Sequence, residues 1–250
     1  MSFTFTPIFS DNFHRANEQP LKPTTTWVNA ESNSLAVVNN LCVGNSNSIT
    51  GEEVYKATRL PNDQYCAITI NNFDLGSTVY PRIRSTVSDV QFYAAVLNAN
   101  GDGSAQLELN VRVSPGGVPV PLASDITIPV VNQGDVLLIG ALGTFIFVYY
   151  NGVQVLSATD STLTGNETGS SGGWHAGPSI IATAIQLDTS ISLVVIGGVS
   201  NPPVVPPLVP PGGFHVKQQG AYKKNSMALP SPTFSGQISG LRPTGKKSIF

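Results

Sequence analysis

The feature that most restricts this chain is an alternation of apolar and polar residues with period two, broken at short intervals by Gly, Asn, Asp and Pro. Period two sends successive side chains to opposite faces, as strands do and helices do not. Ala105–Val113 (AQLELNVRV) sets Leu107, Leu109, Val111 and Val113 on one face, and Gln91–Asn98 precedes it across Asn100-Gly101-Asp102-Gly103. That spacing predicts a hairpin. Cys66–Phe73 reads as a further strand. Asp135–Ile139, Thr144–Tyr150 and Val153–Ser157 follow, the last two joined by Asn151-Gly152, a pair suited to a type I′ turn because both positions need positive φ. Ser179–Gln186 and Ser190–Ile196 complete the set. No amphipathic helix is readable, and the abundant Val, Ile and Thr favour strands. Many short strands between Gly/Pro turns predict a sandwich or barrel, and 250 residues suit one such unit.

The pattern stops near Asn201. Pro202–Gly213 (PPVVPPLVPPGG) has six prolines in its first ten residues, which fix φ and remove backbone donors. A polyproline II spacer of roughly 30 Å is expected there. Beyond it, Phe214, Tyr222, Met227, Phe234, Ile238, Leu241 and Phe250 are scattered with no sustained period among Gly, Ser and Pro. Such a segment cannot bury enough surface alone to offset its ordering entropy, and reads as an extended arm that folds on a partner. The boundaries read from the sequence are 1–8 as an N-terminal segment, 9–198 as the sandwich, 199–213 as the linker and 214–250 as the arm.

Charge separates the same regions. All fifteen acidic residues lie between Asp11 and Asp188, against seven basic residues before position 213, a balance of −8. The arm carries Lys217, Lys223, Lys224, Arg242, Lys246 and Lys247 and no acid, so +6. Charged residues make up only 11% of the whole, against an average near ~25%, which leaves much neutral polar surface that is cheap to desolvate. Met1–Thr6 shows neither the basic nor the apolar region of a Sec signal, and no apolar run is long enough to cross a membrane as a helix. Cys42 and Cys66 stand in apolar, strand-like surroundings and read as buried thiols, with one disulfide between neighbouring strands as the alternative.

Three stretches taken together resemble the LamG-like, concanavalin A-like jelly-roll superfamily. They are Asp11-Asn12-Phe13-His14-Arg15-Ala16-Asn17 with Pro20-Leu21 and Trp27; Pro61-Asn62-Asp63-Gln64-Tyr65 leading into the strand from Cys66; and Val148-Tyr149-Tyr150-Asn151-Gly152-Val153 followed by Asp160 and Gly165. The resemblance spans roughly residues 9–198 and implies an all-β, two-sheet antiparallel jelly-roll sandwich. It leaves function open, because that sandwich serves lectins, glycan-binding modules, glycosidases and virion proteins. The motif residues read as structural: Phe13 and Trp27 in the core, Arg15 bonded to a carboxylate or to backbone carbonyls.

The chemistry that can be sought in the sequence is mostly missing. Glycosidases of this fold carry alternating acids on one strand, and no E-x-D-x-x-E occurs. Glu52-Glu53 are adjacent, would face opposite ways on a strand, and read as a solvated loop pair. His14, His175 and His215 lack metal-ligand spacing and there is no C-x-x-C, so neither a metal nor a cofactor is expected. Gly169-Ser170-Ser171-Gly172-Gly173 fits G-x-S-x-G formally but lacks a following helical pattern. Asn98-x-Asn100-x-Asp102-Gly103 begins like a calcium loop, yet its twelfth position is Leu109. Asn166-Glu167-Thr168 is a formal glycosylation sequon and reads as surface loop. In Ser170–Ser179, Trp174 reads first as a cover over the end of the sandwich core; as the alternative it offers a ring to a sugar face with His175 beside it.

No enzyme is expected on these grounds. The main expectation is a structural virion protein of a tailed bacteriophage, a multi-copy subunit held to its neighbours by Phe214, Lys217, Tyr222, Lys223, Lys224, Phe234, Arg242, Lys246, Lys247 and Phe250. Six dispersed charges make a poor phosphate track, so nucleic acid is not the expected partner. The alternative is a carbohydrate-binding module for cell-surface or extracellular glycans, with Trp174 and His175 as its contacts. The expected location is the virion or, for the module, outside the cell by a non-Sec route.

Overall fold

The computed structural model describes residues 3–18, 21, 26–29, 35–44, 50–86, 91–100, 102–114, 117–164, 174–181 and 189–201. Phe3–Ser200 forms one compact unit. The arm residues from Phe214 to Phe250, the proline spacer, the sequon and the G-x-S-x-G match all lie outside the described residues.

The described secondary structure is all-β, in two antiparallel sheets. The first runs β14 (Val153–Thr159), β13 (Phe145–Tyr150), β12 (Val136–Leu142), β6 (Gln64–Asn72), β16 (Ser190–Ser200), β4 (Leu41–Val43) and β3 (Ala36–Val38), with β1 (Thr4–Asp11) also paired to β16. The second runs β10 (Val120–Pro121), β9 (Ala105–Arg112), β8 (Phe92–Ala99), β7 (Thr78–Ser85), β15 (Trp174–Ile181), β5 (Thr50–Leu60) and β2 (Trp27–Asn29), with β11 (Ile126–Ile128) on β9. This is a jelly-roll-like sandwich, as the period-two pattern and the resemblance implied.

The hairpins form where turn chemistry allows. Asn151 and Gly152 have φ of 49° and 79°, and Asn39-Asn40 make an equivalent pair at 52° and 63° between β3 and β4. The inner faces alternate as the strands demand. Leu107 and Leu109 are fully buried and Val111 nearly so, while Val113, expected on the same face, lies past the end of β9 and is exposed. One apolar cluster between the sheets gathers Phe13, Trp27, Ile68, Tyr93, Leu107, Ile139, Val148 and Ile196. Burial of each large side chain contributes about 1.5–3 kcal/mol.

The N-terminal boundary moves. Residues 4–8, set outside the sandwich by the sequence reading, belong to β1, which pairs with β16 from Thr4↔Ser200 to Asp11↔Val194. The reason is aromatic packing: Phe3 stacks on Phe147 at 4.5 Å, Phe5 meets Tyr65 edge-on at 5.2 Å, and Phe9 stacks on Tyr55 at 4.4 Å. The opening motif is structural, as expected. Asp11 accepts from the Phe13 backbone, from Arg15 at 2.6 Å and from the Trp27 indole at 3.1 Å, and Glu18 takes a second bond from Arg15. The thiols of Cys42 and Cys66 are free and buried. Cys42 lies opposite Ile191 and Cys66 opposite Ile196, five positions apart on β16, so a bond between them is out of reach.

Arg84 closes one end of the sandwich. Its φ is 47°, a left-handed conformation unusual for a residue with a Cβ. Its guanidinium donates to the carbonyls of Asn62 (3.0 Å), Leu163 (2.8 Å) and Gly143 (2.6 Å), and its own amide donates to Gln64 Oε1. One side chain thus ties β7 to the β5–β6 turn, the β12–β13 turn and the segment after β14.

Candidate functional site

The alternation that fills the core also decorates the outward face of the second sheet. On β7, Val79 and Ile83 point inward, so Tyr80 and Arg82 point out. On β8, Tyr93, Ala95 and Leu97 point in, and Phe92, Ala94, Val96 and Asn98 out. On β9, Gln106, Glu108, Asn110 and Arg112 alternate with the buried leucines and so share the outward face. On β5 and β15, Glu52 and Ser179 join them, since Ser179 pairs with both Glu52 and Tyr80.

Two polar groups result. In the first, Glu52 accepts a hydrogen bond from the Tyr80 hydroxyl at Oε1 and from Arg82 Nη1 at Oε2, 2.8 Å away. All three residues are buried. Burial, followed by the adjacent Glu52 carboxylate, pushes the Tyr80 phenol well above its usual range. The Arg82 guanidinium lies 5.7 Å from the Phe92 ring centroid, with the Arg112 guanidinium at 5.6 Å from the same ring. Tyr80 and Phe92 are stacked, 6.4 Å between centroids.

The second group is a ladder across β7, β8 and β9. Thr78 Oγ1 donates to Asn98 Oδ1 at 2.7 Å, and Asn98 Nδ2 donates to Glu108 Oε1 at 3.1 Å. Asn110 Nδ2 donates to the other oxygen, Glu108 Oε2, at 2.9 Å. Thr78, Asn98, Glu108 and Arg112 are half-buried, so solvent and ligands reach them, while Asn110 sits deeper.

The sequence-derived glycan contacts stand elsewhere and need correction. Trp174 and His175 do not sit on an exposed Gly-rich loop; they begin β15. Consecutive strand residues face opposite ways, so Trp174 enters the core, with no accessible surface, and its ring has no free face for a sugar. The other role considered for Trp174, filling the end of the core, is the observed one. His175 is 4% exposed, its Nδ1 2.8 Å from the Tyr55 carbonyl, and burial holds its pKa below the ordinary value. Glu52 and Glu53 face opposite ways as the sequence implied, but neither is solvated: both are buried on β5. Burial pushes Glu53 up to about 8.

Glu52 and Glu108 are in one row across the sheet, with Ser179, Tyr80 and Val96 between them. Four strand spacings place them roughly 19 Å apart. Acid/base pairs of glycosidases stand about 5–9.5 Å apart. Among the described residues no group of three or more His, Cys, Asp or Glu is placed to hold a metal ion. Among the same residues no helix is long and apolar enough to cross a membrane.

No protein-family profile and no curated protein matches this chain. Solved structures do. The β-agarase A of Zobellia galactanivorans aligns over 79% of this chain and 93% of its own, at 14% identity and a TM-score of 0.52. The laminarinase of Rhodothermus marinus aligns over 80% and 99%, at 11% identity and 0.51. A carbohydrate-binding module of Bacillus subtilis, CBM66, aligns over 70% and 93%, at 19% identity and 0.47. At such identities the likeness is one of fold.

The sequence carried a signal for the outward face that its apolar half obscured. In Ala105–Val113 the leucines mark the inward face, and Gln106, Glu108, Asn110 and Arg112 form an equally regular polar set on the other. Their partners on β7 and β8 come from sequence positions up to thirty residues away, and only the register of Thr78↔Asn98 and Asn98↔Gln106 brings them together.

Proposed function

We propose that this chain is a glycan-binding β-sandwich whose binding surface is the outward face of β7, β8 and β9. The observation that carries the reading is the ladder Thr78–Asn98–Glu108–Asn110, a row of hydrogen-bonding groups held in fixed directions by one another beside the Tyr80–Phe92 aromatic pair. Fixed donors and acceptors suit sugars, which offer hydroxyls at the ring edge; Tyr80 and Phe92 are buried and back this row rather than stack on a sugar. The agarase and laminarinase supply fold-level support, since both are named for acting on polysaccharides. Binding is proposed rather than cleavage because Glu52 and Glu108 stand too far apart to share one glycosidic bond. The virion reading has no support from these structures, and its anchor residues lie outside the described residues.

The test is isothermal titration of the full chain with a neutral β-1,3-glucan, an agaro-oligosaccharide, a sulfated carrageenan and polygalacturonate. Saturable binding to at least one is expected, weakened about fivefold or more by Asn98→Ala and by Arg112→Ala. Binding to none, or binding indifferent to both substitutions, would overturn the reading.

A further inference from the structure

We infer that Glu108 is the specificity-determining acceptor of this face and that it selects a neutral pyranose through two adjacent hydroxyls. The inference rests on the glycan-binding reading and adds the class of sugar and the residue that reads it.

An ionised carboxylate only accepts, with about four lone-pair positions on its two oxygens. On Glu108 one position of each oxygen is filled, by Asn98 Nδ2 on Oε1 and by Asn110 Nδ2 on Oε2. Asn98 stands on β8 and Asn110 on Glu108's own strand β9, and the register Asn98↔Gln106, Val96↔Glu108, Ala94↔Asn110 sets them on either side of Glu108, so the carboxylate is gripped from both sides and its plane is fixed. Thr78 fixes Asn98 in turn by donating to its Oδ1, which settles the direction of that amide. One acceptor position on each oxygen is left, and Glu108 is half-buried and open to solvent. Two oxygens of one carboxylate, both oriented, match two hydroxyls on neighbouring ring carbons. Arg112, two residues along β9 on the same face, supplies a donor to the same sugar or its neighbour, with Phe92 beneath it.

Charge decides against acidic sugars. The deeper cation Arg82 is matched by Glu52, and the other cation of the face, Arg112, stands two residues beyond Asn110 along β9, so an anionic group set against the two Glu108 oxygens themselves meets their negative charge first. A sulfate or uronate placed there meets repulsion, and a like-charge contact of this kind works as rejection.

The experiment is the titration above, repeated with Glu108→Gln and Glu108→Ala in the full chain, with thermal melts of each. Glutamine keeps the shape but replaces an acceptor oxygen with a donor and removes the charge. The expected result is binding of a neutral glycan by the unaltered chain, at least about tenfold tighter than by either variant. Discrimination against carrageenan and polygalacturonate should narrow in both. Glutamine should melt within about 2 °C of the unaltered chain, which separates recognition from folding. Neutral binding unchanged in Glu108→Gln, or a preference of the unaltered chain for an anionic glycan, overturns this inference and leaves the glycan-binding reading standing. Failure of every glycan to bind overturns that reading, and this inference with it.

Discussion

Arg84 is the side chain whose loss should be felt most widely. It makes three charge-assisted hydrogen bonds, of 3.0, 2.8 and 2.6 Å, to carbonyls of three separate segments, and it is 1% exposed. Arg84→Met keeps much of the volume and removes every donor. Hydrogen bonds from a charged group contribute about 1.5–3 kcal/mol each, and three that share one side chain do not add fully. Part of the loss is offset because a buried guanidinium no longer has to be desolvated, the effect that lowers the Arg84 pKa here. The expected net cost is about 3–5 kcal/mol. For a unit near 200 residues that corresponds to a fall in Tm of roughly 10 °C. Arg84→Lys should cost less, about 2–3 kcal/mol, since one ammonium cannot reach three carbonyls held in a fork. Urea unfolding followed by tryptophan fluorescence measures this directly, because Trp27 and Trp174 are the chain's two tryptophans and both are buried. A Met variant within about 1 kcal/mol of the unaltered chain, at equal m-value, would refute the idea that Arg84 ties the three segments together.

Further outcomes follow from single positions. Glu53 is raised to about 8 by burial, against an ordinary 4.5, so the folded state holds its proton where the unfolded state has lost it. Stability should therefore fall as pH rises from about 5 to about 8 and level off above, by a few kcal/mol, and the fall should vanish in Glu53→Gln; a urea-midpoint series for both proteins at pH 5–9 checks it. A Cβ on Gly177 would lie 2.0 Å from the Glu53 carbonyl oxygen on the neighbouring strand. Gly177→Ala should thus push β15 from β5 and lower Tm by roughly 5 °C or more, seen by calorimetry. Trp174→Ala should cost about 3–5 kcal/mol in urea unfolding and leave glycan affinity unchanged in titration, because the ring belongs to the core.

Much of the fold was legible in the sequence. Asn151-Gly152 marked its turn because no other local chemistry accepts positive φ so cheaply, and the strands around it alternate as their residues do. The jelly-roll arrangement was carried by the opening Asp11–Arg15 motif and Trp27, whose residues bond to one another as a unit. Pairing between distant strands was not legible. β15 lies between β5 and β7, so Glu52, Ser179 and Tyr80 meet across sequence gaps of about a hundred residues, and no local pattern encodes that. For Trp174 the core-covering reading holds, while its Gly-rich surroundings suggested a loop and so kept a sugar contact open; the partners that bury it come from elsewhere in the chain. β1 was missed at its start because Phe3 and Phe5 pack on aromatic residues of other strands, Phe147 and Tyr65.

The central claim is the location of a glycan on the outward face of β7, β8 and β9. The most direct measurement is an NMR titration of the full chain with a neutral oligosaccharide that binds it, following backbone amides and Asn side-chain amides. The expected result is saturable shifts concentrated at Thr78, Val96, Asn98, Glu108, Asn110 and Arg112, with the Nδ2 protons of Asn98 and Asn110 among the largest. Shifts confined to the first sheet, around Phe145 and Tyr149 or along β1, would contradict it.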